Sequence, residues 1–298
     1  MEYFFESSRH CVNECAFQEV VFADDMNCYR EYPDFKNHDA IFKDLHSCQS
    51  ALHEWGLQHQ VISEKTKESL HILCRKQPKG DPFKILGIHF DTKLVMYDAV
   101  VIVAAESGAR LKMLLRARPF YCQSDLVCLY KRHVLPFIES GTPAYYHATL
   151  SILQLLDNVQ NGFIESVGIS KKDVLLNFNL APLGVRRDIA MLSVLHRIVL
   201  GIAPISMREL IPLSSSTLFH HGFKSDKLLH DKQLQDCTGH NSPVMLKRSL
   251  FGLVYVYNRL KQDVVDSKSA KISQSKLYCI VKTACETNPK WELVLHRN

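Results

Sequence analysis

The sequence predicts an α+β protein in which a small region with a β-hairpin, a helix and two strands precedes a longer, mainly helical region. Three observations lead to this fold class. Residues 20–29 (VVFADDMNCY) place two adjacent aspartates between two strand-like runs, apolar residues recur three and four positions apart from Ile41 to Trp55, and helical periodicity becomes continuous from about Leu94. A chain of 298 residues with 46% hydrophobic composition is long enough to bury such a core.

Residues 1–95 carry the predicted hairpin, one helix and two strands. The apolar stripe that begins at Ile41 ends at Gly56, and glycine commonly ends a helix. The segment E-K-T-K-E-S-L-H-I-L-C then supplies a turn that leads into a short strand. After the breaker P-K-G-D-P, the segment F-K-I-L-G-I-H-F-D predicts a second strand.

The rest of the chain reads as helices with one long interruption. Thr142 followed by Pro143 is a good helix start, because proline at the first position gives up an amide that has no partner there. We expect helices over 96–211, an exposed loop rich in Ser, His, Lys and Asp over 212–243, and a C-terminal extension over 244–298 that opens on a strongly apolar segment.

Charge is distributed unevenly along the chain. Residues 1–100 contain 11 Lys+Arg against 16 Asp+Glu, a net charge of −5, whereas the remaining residues contain 25 against 15, a net charge of +10. This asymmetry fits an acidic, metal-binding half and a basic half that follows a phosphate backbone. Two ordinary solvated surfaces would give the same numbers.

Several classes of protein are disfavoured by the sequence. No apolar run reaches the roughly 18 residues that a membrane span needs, and the start M-E-Y-F-F-E-S-S-R-H lacks the features of a secretory signal. We therefore expect an intracellular protein, in the nucleus or cytoplasm, with no membrane partner. The ten cysteines are too irregular for a disulfide framework, and the close pairs Cys11/Cys15 and Cys237/His240 do not complete a zinc pattern.

The order of motifs in residues 1–95 resembles a known enzyme family. F-A-D-D at a hairpin tip, a helix ending in W-G-L, then E-K-T-K-E-S and F-K-I-L-G-I-H-F-D resemble the second half of the reverse transcriptase palm of non-LTR retrotransposons, the LINE or jockey-like group. The resemblance implies that Asp24 and Asp25 are the motif C aspartates and that Lys65 is the motif D lysine. It also implies that Leu86 and Gly87 belong to the primer-gripping strand.

The resemblance extends beyond the palm. N-L-A-P-L-G-V-R-R-D-I-A-M-L-S-V-L-H-R-I-V-L-G-I-A-P resembles the helical, thumb-like segment of the family, and S-L-F-G-L-V-Y-V-Y-N-R-L-K-Q-D-V-V resembles the element that commonly ends such reading frames. It implies an RNA template and a DNA primer as partners. Arg186 and Arg187, just before a predicted helix, either bind backbone phosphate or pair with Asp188.

The implied chemistry explains the paired carboxylates. Nucleotide addition uses two divalent ions about 4 Å apart, and hard cations such as Mg²⁺ take carboxylate oxygens. The resemblance therefore implies Mg²⁺ as cofactor, held by Asp24 and Asp25. Lys65 would neutralise or protonate the departing pyrophosphate, or else be a solvated lysine at a turn.

The chain departs from a complete polymerase. The family draws a further metal-binding aspartate from the motif A strand, well before motif C, but only 23 residues precede Asp24. The fingers and the template-binding motif B are also missing. We expect a 5′-truncated RNA-directed DNA polymerase, a nucleotidyltransferase, that binds Mg²⁺ weakly and is inactive as isolated. Without the motif A strand, Val20, Val21 and Phe22 should form an exposed, apolar sheet edge.

Three alternatives remain open at this point. The chain is a non-catalytic, helical nucleic-acid-binding remnant, or a fragment that regains polymerase activity when an N-terminal portion is supplied in trans, or a gene-model product without a selected role. The net charge of +10 beyond residue 100 favours nucleic-acid binding. The sequence does not specify the oligomeric state.

Overall fold

The computed structural model describes residues 6–23, 25–33, 36–214, 230–239 and 242–296. The chain divides into two compact units, Met1–Phe83 and Lys84–Asn298. Helices dominate, and the strands form two small antiparallel sheets of two strands each. The predicted α+β class is therefore confirmed. Within the described residues, no helix combines the length and the apolar character needed to cross a bilayer.

The unit Met1–Phe83 is built from two helices and a hairpin: α1 (Glu6–Glu14), β1 (Gln18–Phe22), β2 (Asp25–Tyr29) and α2 (His38–Gln58). Its small core contains Val12, Phe17 and Cys48, and α1 packs on α2. The sequence did not predict α1, because only Ser8 and Val12 are buried in it and no apolar stripe results. Helix α2 begins where the Asn37 side chain accepts the Asp39 N–H at 3.0 Å.

The predicted hairpin is present. Phe22 pairs with Asp25 across it, and Asp25 is the exposed first residue of β2. Asp24 lies outside the described residues. The predicted apolar exposure holds for Val20 and Phe22, which are 55% and 60% exposed, but not for Val21, which is half-buried; among the described residues this sheet has two strands.

The strand predicted within S-L-H-I-L-C is wrong. Residues 65–67 form a short 3-10 helix, and pairing within residues 68–82 is limited to an isolated bridge between Ile72 and Lys79, with N···O distances of 2.9 and 3.2 Å. The pairing does not extend because Gly80, at φ +99°, turns the chain away immediately after Lys79.

The single strand predicted over F-K-I-L-G-I-H-F-D is also wrong, because this segment is a complete hairpin. Strands β3 (Phe83–Ile85) and β4 (Ile88–Phe90) pair with each other around Leu86 and Gly87, which occupy the turn. Both turn residues have positive φ, +48° and +84°, as a two-residue type I′ turn requires. The alternating pattern of the segment fits both arrangements, and the backbone freedom of Gly87 decides between them.

This turn yields a stability prediction. Leu86 is 54% exposed and gains little from packing, so Leu86→Asn should raise the free energy of unfolding by about 0.5 kcal/mol, because asparagine tolerates positive φ better than leucine. Gly87→Ala should lower it by about 1 kcal/mol. Trp291 reports on this unit once the only other tryptophan is removed by Trp55→Phe. Urea titrations in which Leu86→Asn proves destabilising would contradict the turn assignment.

The unit Lys84–Asn298 is mainly helical beyond the β3–β4 hairpin. Its first helix begins at Tyr97, close to the predicted change of periodicity at Leu94. The helices of this unit are α3 (Tyr97–Arg116), α4 (Gln123–His133), α5 (Leu135–Ser140), α6 (Thr142–Tyr145), α7 (Leu150–Val167), α8 (Lys171–Phe178), α9 (Leu183–Val199), α10 (Ile205–Leu210), α11 (Val244–Lys247), α12 (Leu250–Tyr257), α13 (Gln262–Val265) and α14 (Ala270–Thr287).

Two clusters of buried side chains hold this unit together. One joins α3, α4 and α7, where Tyr130 stacks on Phe163 with ring centroids 4.2 Å apart. The other joins α9 to α12 and α14, with Leu192, Val254 and Leu277 almost fully buried. The segments predicted at 96–211 and 244–298 therefore share a core.

The predicted exposed loop over 212–243 is described only in part. Residues 215–229, 240 and 241 lie outside the described residues. In the described part, His230 and Leu234 are buried, which corrects the expected exposure. The Asn258 side chain accepts the Leu234 N–H at 2.9 Å and donates to the Leu234 carbonyl oxygen at 2.8 Å, so a polar-looking segment is fixed onto α12.

Candidate nucleic-acid and aspartate sites

The described part of the candidate aspartate site lies at the start of β2. Asp25 is exposed there, and Asp24 precedes it outside the described residues. The nearest carboxylate upstream on the hairpin, Glu19, receives the Arg9 Nε at 2.8 Å and is only 5% exposed, so it is engaged elsewhere. Within the described part of the chain, no group of three His, Cys, Asp or Glu side chains is arranged to hold a metal ion. The described donors alone do not fit a two-ion centre, which needs several carboxylate oxygens.

Lys65 begins the 3-10 helix Lys65–Lys67, and its side chain is exposed. The loop that carries it is tied to α2 through Glu68. The Glu68 carboxylate accepts hydrogen bonds from Ser63 Oγ and Gln49 Nε2, both at 2.6 Å, and lies 2.8 Å from His53 Nε2. Glu68 therefore fixes the position of the Lys65 loop on the face of α2.

The Glu68 contacts give a pH prediction. Burial raises the pKa of Glu68, but the hydrogen bonds from Ser63, Gln49 and His53 outweigh it and lower the pKa from 4.5 to about 2. A lowered folded-state pKa contributes stability above pH 4.5 that is lost as the pH falls towards 2. After allowance for solvent screening, Glu68→Gln should cost about 2 kcal/mol at pH 6 and much less near pH 3.

Trp55 fluorescence in a Trp291→Phe background reports on the unit that contains Glu68, since each unit has one tryptophan. Urea unfolding of parent and Glu68→Gln at the two pH values measures the effect. A difference between the two proteins that is the same at pH 3 and pH 6 would show that the carboxylate charge is not responsible.

Arg186 and Arg187 both lie on α9 and are engaged within the protein. Arg186 Nε and Nη2 contact the Glu139 carboxylate at 2.5 and 2.9 Å. Arg187 Nη1 and Nη2 contact the Asp157 carboxylate at 2.8 and 3.1 Å, and the Arg187 side chain is only 6% exposed. Two-pronged pairs of this kind fix a guanidinium firmly. They favour a structural role over the predicted phosphate contact, which would require breaking an ion pair.

Asp188, the predicted partner of these arginines, has other contacts. The Tyr146 hydroxyl donates to Asp188 Oδ1 at 2.6 Å, and His296 Nδ1 lies 3.4 Å from Asp188 Oδ2. The hydrogen bond with Asp188 raises the pKa of His296 despite its partial burial. The predicted pairing of the two arginines with Asp188 is therefore wrong. Their carboxylate partners are Glu139 and Asp157, which lie 47 and 30 residues away along the chain.

A different basic surface lies at the C-terminal end of α3, and sequence reasoning missed it. We call it the α3-end patch. No acidic residue occurs between Glu106 and Asp125, so four cations stand without interspersed acids. Phe120 is 83% and Tyr121 48% exposed beside them. The patch consists of Arg110, Lys112, Met113, Arg116, Arg118, Phe120 and Tyr121.

The cations of the patch are available to a partner. Arg110 lies over the Phe137 ring at 4.5 Å, but Lys112, Arg116 and Arg118 are exposed and form no salt bridge with any described residue. Exposed aromatic rings among free cations are the combination used for single-stranded nucleic acids, where bases stack on the rings and phosphates follow the charge. The sequence R-L-K-M-L-L-R-A-R-P-F-Y carried this signal in its lack of acids.

Comparisons with protein-family models, with curated proteins and with solved structures gave no match to this chain. The similarity to reverse transcriptases therefore stays a prediction from the motifs. The candidate sites rest on the geometry of the chain itself.

Proposed function

We propose that the chain is part of the RNA-directed DNA polymerase of a non-LTR retrotransposon: the second half of a palm, a thumb-like helical region and a C-terminal extension. In this proposal it binds an RNA template and a DNA primer but does not transfer nucleotides alone. One observation carries the assignment. A two-strand hairpin with Asp25 near its tip is followed by α2, the anchored Lys65 loop and a further hairpin around Leu86 and Gly87. The resembled family has motif C, motif D and the primer-gripping strand in the same order.

Nucleotide transfer is not expected from these residues alone. Asp24 and Asp25 are hard oxygen donors of the kind that Mg²⁺ takes, but two adjacent aspartates supply only one side of a two-ion centre. We expect weak Mg²⁺ binding by the 298-residue chain. In this proposal, a polymerase portion that carries the motif A aspartate and is supplied in trans completes the centre.

A second candidate function, nucleic-acid binding without any catalytic role, is supported by the α3-end patch. The exposed rings of Phe120 and Tyr121 lie next to Arg118 in sequence, and Arg116 and Lys112 add positive charge. Stacking on aromatic side chains accepts any base, so binding by this patch would be independent of sequence. Phosphate neutralisation would make the affinity fall with salt.

The patch gives a direct prediction. Phe120→Ala should weaken binding of labelled single-stranded RNA or DNA by about 10-fold, because each base stacked on an aromatic ring contributes about 1–3 kcal/mol. Arg116→Gln with Arg118→Gln should lower the affinity at low salt and flatten its dependence on salt. Fluorescence anisotropy over a range of salt concentrations measures both effects.

The matched control is Arg259→Gln with Lys268→Gln, which removes two exposed cations elsewhere in the same unit. An equal loss of affinity in the patch and control pairs would mean that binding follows overall charge. In that case the α3-end patch has no special role. All substituted positions are exposed, so the variants should fold like the parent.

A further inference from the structure

The unit Lys84–Asn298 contains a cavity of about 320 Å³, a volume in the range of small-molecule sites. It is lined by α7, α8, the first turn of α9 and the chain around residues 247–253. One part of the lining is apolar and comes from Leu150, Leu153, Ile164, Val174, Leu183 and Leu253. Such a wall suits the organic body of a ligand.

The lining also holds four Lys and Arg side chains against the three carboxylates of Asp157, Asp188 and Glu292, an excess of one positive charge. Of its four Lys and Arg side chains, Arg187 is neutralised by Asp157, and Lys171 lies 3.7 Å from Glu292. Arg248 is different, because it forms no salt bridge with any described residue although it is half-buried. Its Nε is buried and has no hydrogen-bond partner in that part of the chain. No described carboxylate neutralises this guanidinium.

The first turn of α9 also lines the cavity. Leu183, Gly184 and Val185 line the cavity, and their N–H groups precede the first intrahelical acceptor. Pro182 at the N-cap offers no side-chain oxygen to satisfy them. The 17-residue length of α9 gives this end the partial positive charge of a helix N-terminus.

We propose that this cavity binds a phosphate monoester with a compact organic body, whose phosphate contacts Arg248 and the first-turn N–H groups of α9. A guanidinium fork and a helix N-terminus both match the several oxygens of a phosphate better than a single carboxylate. Ser249 and Asn161, also in the lining, can hydrogen-bond to hydroxyl groups of the body. Its lining shares no residue with the α3-end patch or with the aspartate site.

Two sources share this chemistry, a nucleoside monophosphate and an alkyl phosphate. Isothermal titration of the full chain with adenosine 5′-monophosphate, octyl phosphate and inorganic phosphate distinguishes them. We expect saturable binding of one organic phosphate with a Kd below about 1 mM, and at least 10-fold weaker binding of inorganic phosphate. A preference for the adenosine compound identifies a nucleotide site, and a preference for octyl phosphate identifies a site for alkyl phosphates.

Arg248→Gln should weaken binding of the preferred ligand about 10-fold or more, whereas Arg259→Gln, the same change outside the cavity lining, should leave it unchanged. Lys171→Gln is a second test at a more exposed position, with a loss of a few-fold expected, if Arg248→Gln does not fold. The proposal is overturned if neither organic phosphate binds saturably, if inorganic phosphate binds equally well, or if folded cavity variants and Arg259→Gln bind alike.

Discussion

Gly252→Ala is expected to destabilise the unit Lys84–Asn298 by about 3 kcal/mol or more, and in the limit to prevent it from folding. Gly252 lies on the buried side of α12, where an added Cβ would overlap the backbone carbonyl of Lys247. A backbone atom cannot rotate away as a side chain can. The chain between α11 and α12 would have to shift, and with it the packing of α12 on α9.

Gly162→Ala is the matched control. Gly162 lies inside α7, and an added methyl group there would meet no atom within 4 Å beyond the adjoining backbone of its own helix. Alanine is the better helix former, so this variant should gain about 1 kcal/mol. Urea unfolding followed by circular dichroism and Trp291 fluorescence compares the two. If Gly252→Ala is as stable as the parent or more stable, the close contact of Gly252 with Lys247 is wrong.

Asp157→Asn should cost about 3 kcal/mol, because it leaves the Arg187 guanidinium buried without a counter-charge. Arg187→Met should cost less, since Asp157 is 27% exposed and water can solvate it. The double variant Asp157→Leu with Arg187→Met should recover much of the loss, as is common when a buried pair is replaced by apolar residues. A double variant less stable than Asp157→Asn would contradict this account of the pair.

The same variants test the phosphate role predicted for Arg187. Stability and nucleic-acid affinity are separate quantities, and the affinity is measured on the folded fraction. If Arg187 is structural, folded Arg187→Met binds nucleic acid as the parent does. A loss of affinity in the folded fraction of Arg187→Met would restore Arg187 as a phosphate contact.

Local patterns in the sequence predicted the elements that follow local rules. The β1–β2 hairpin and α2 have alternating and three-four patterns of their own, and the start of α3 follows the change of periodicity near Leu94. Helix α1 was not predicted, because its buried residues are Ser8 and Val12 and these form no apolar stripe. The β3–β4 turn was not predicted, because alternation of apolar and polar residues does not show where the chain reverses. Gly87, which has a positive φ, was the available signal for a turn.

Tertiary partners could not be predicted from the sequence. The sequence allowed Arg186 and Arg187 to be phosphate contacts, because their carboxylate partners, Glu139 and Asp157, lie far from them in the chain. The cavity near Arg248 is likewise assembled from segments about a hundred residues apart, for which no local pattern exists. The α3-end patch, by contrast, is contiguous, and the acid-free stretch before Asp125 could have been found by its charge alone.

The central claim is that this chain binds nucleic acid but does not extend a primer. It is tested most directly by a primer-extension reaction on an RNA template with Mg²⁺ or Mn²⁺, at a protein concentration where anisotropy shows the same RNA–DNA hybrid to be saturated. We predict salt-sensitive binding of the hybrid and no extension, because the +10 segment needs no metal centre whereas transfer needs two ions in register. Extension that Asp25→Ala abolishes, or a hybrid that the chain does not bind at low salt, would contradict the claim.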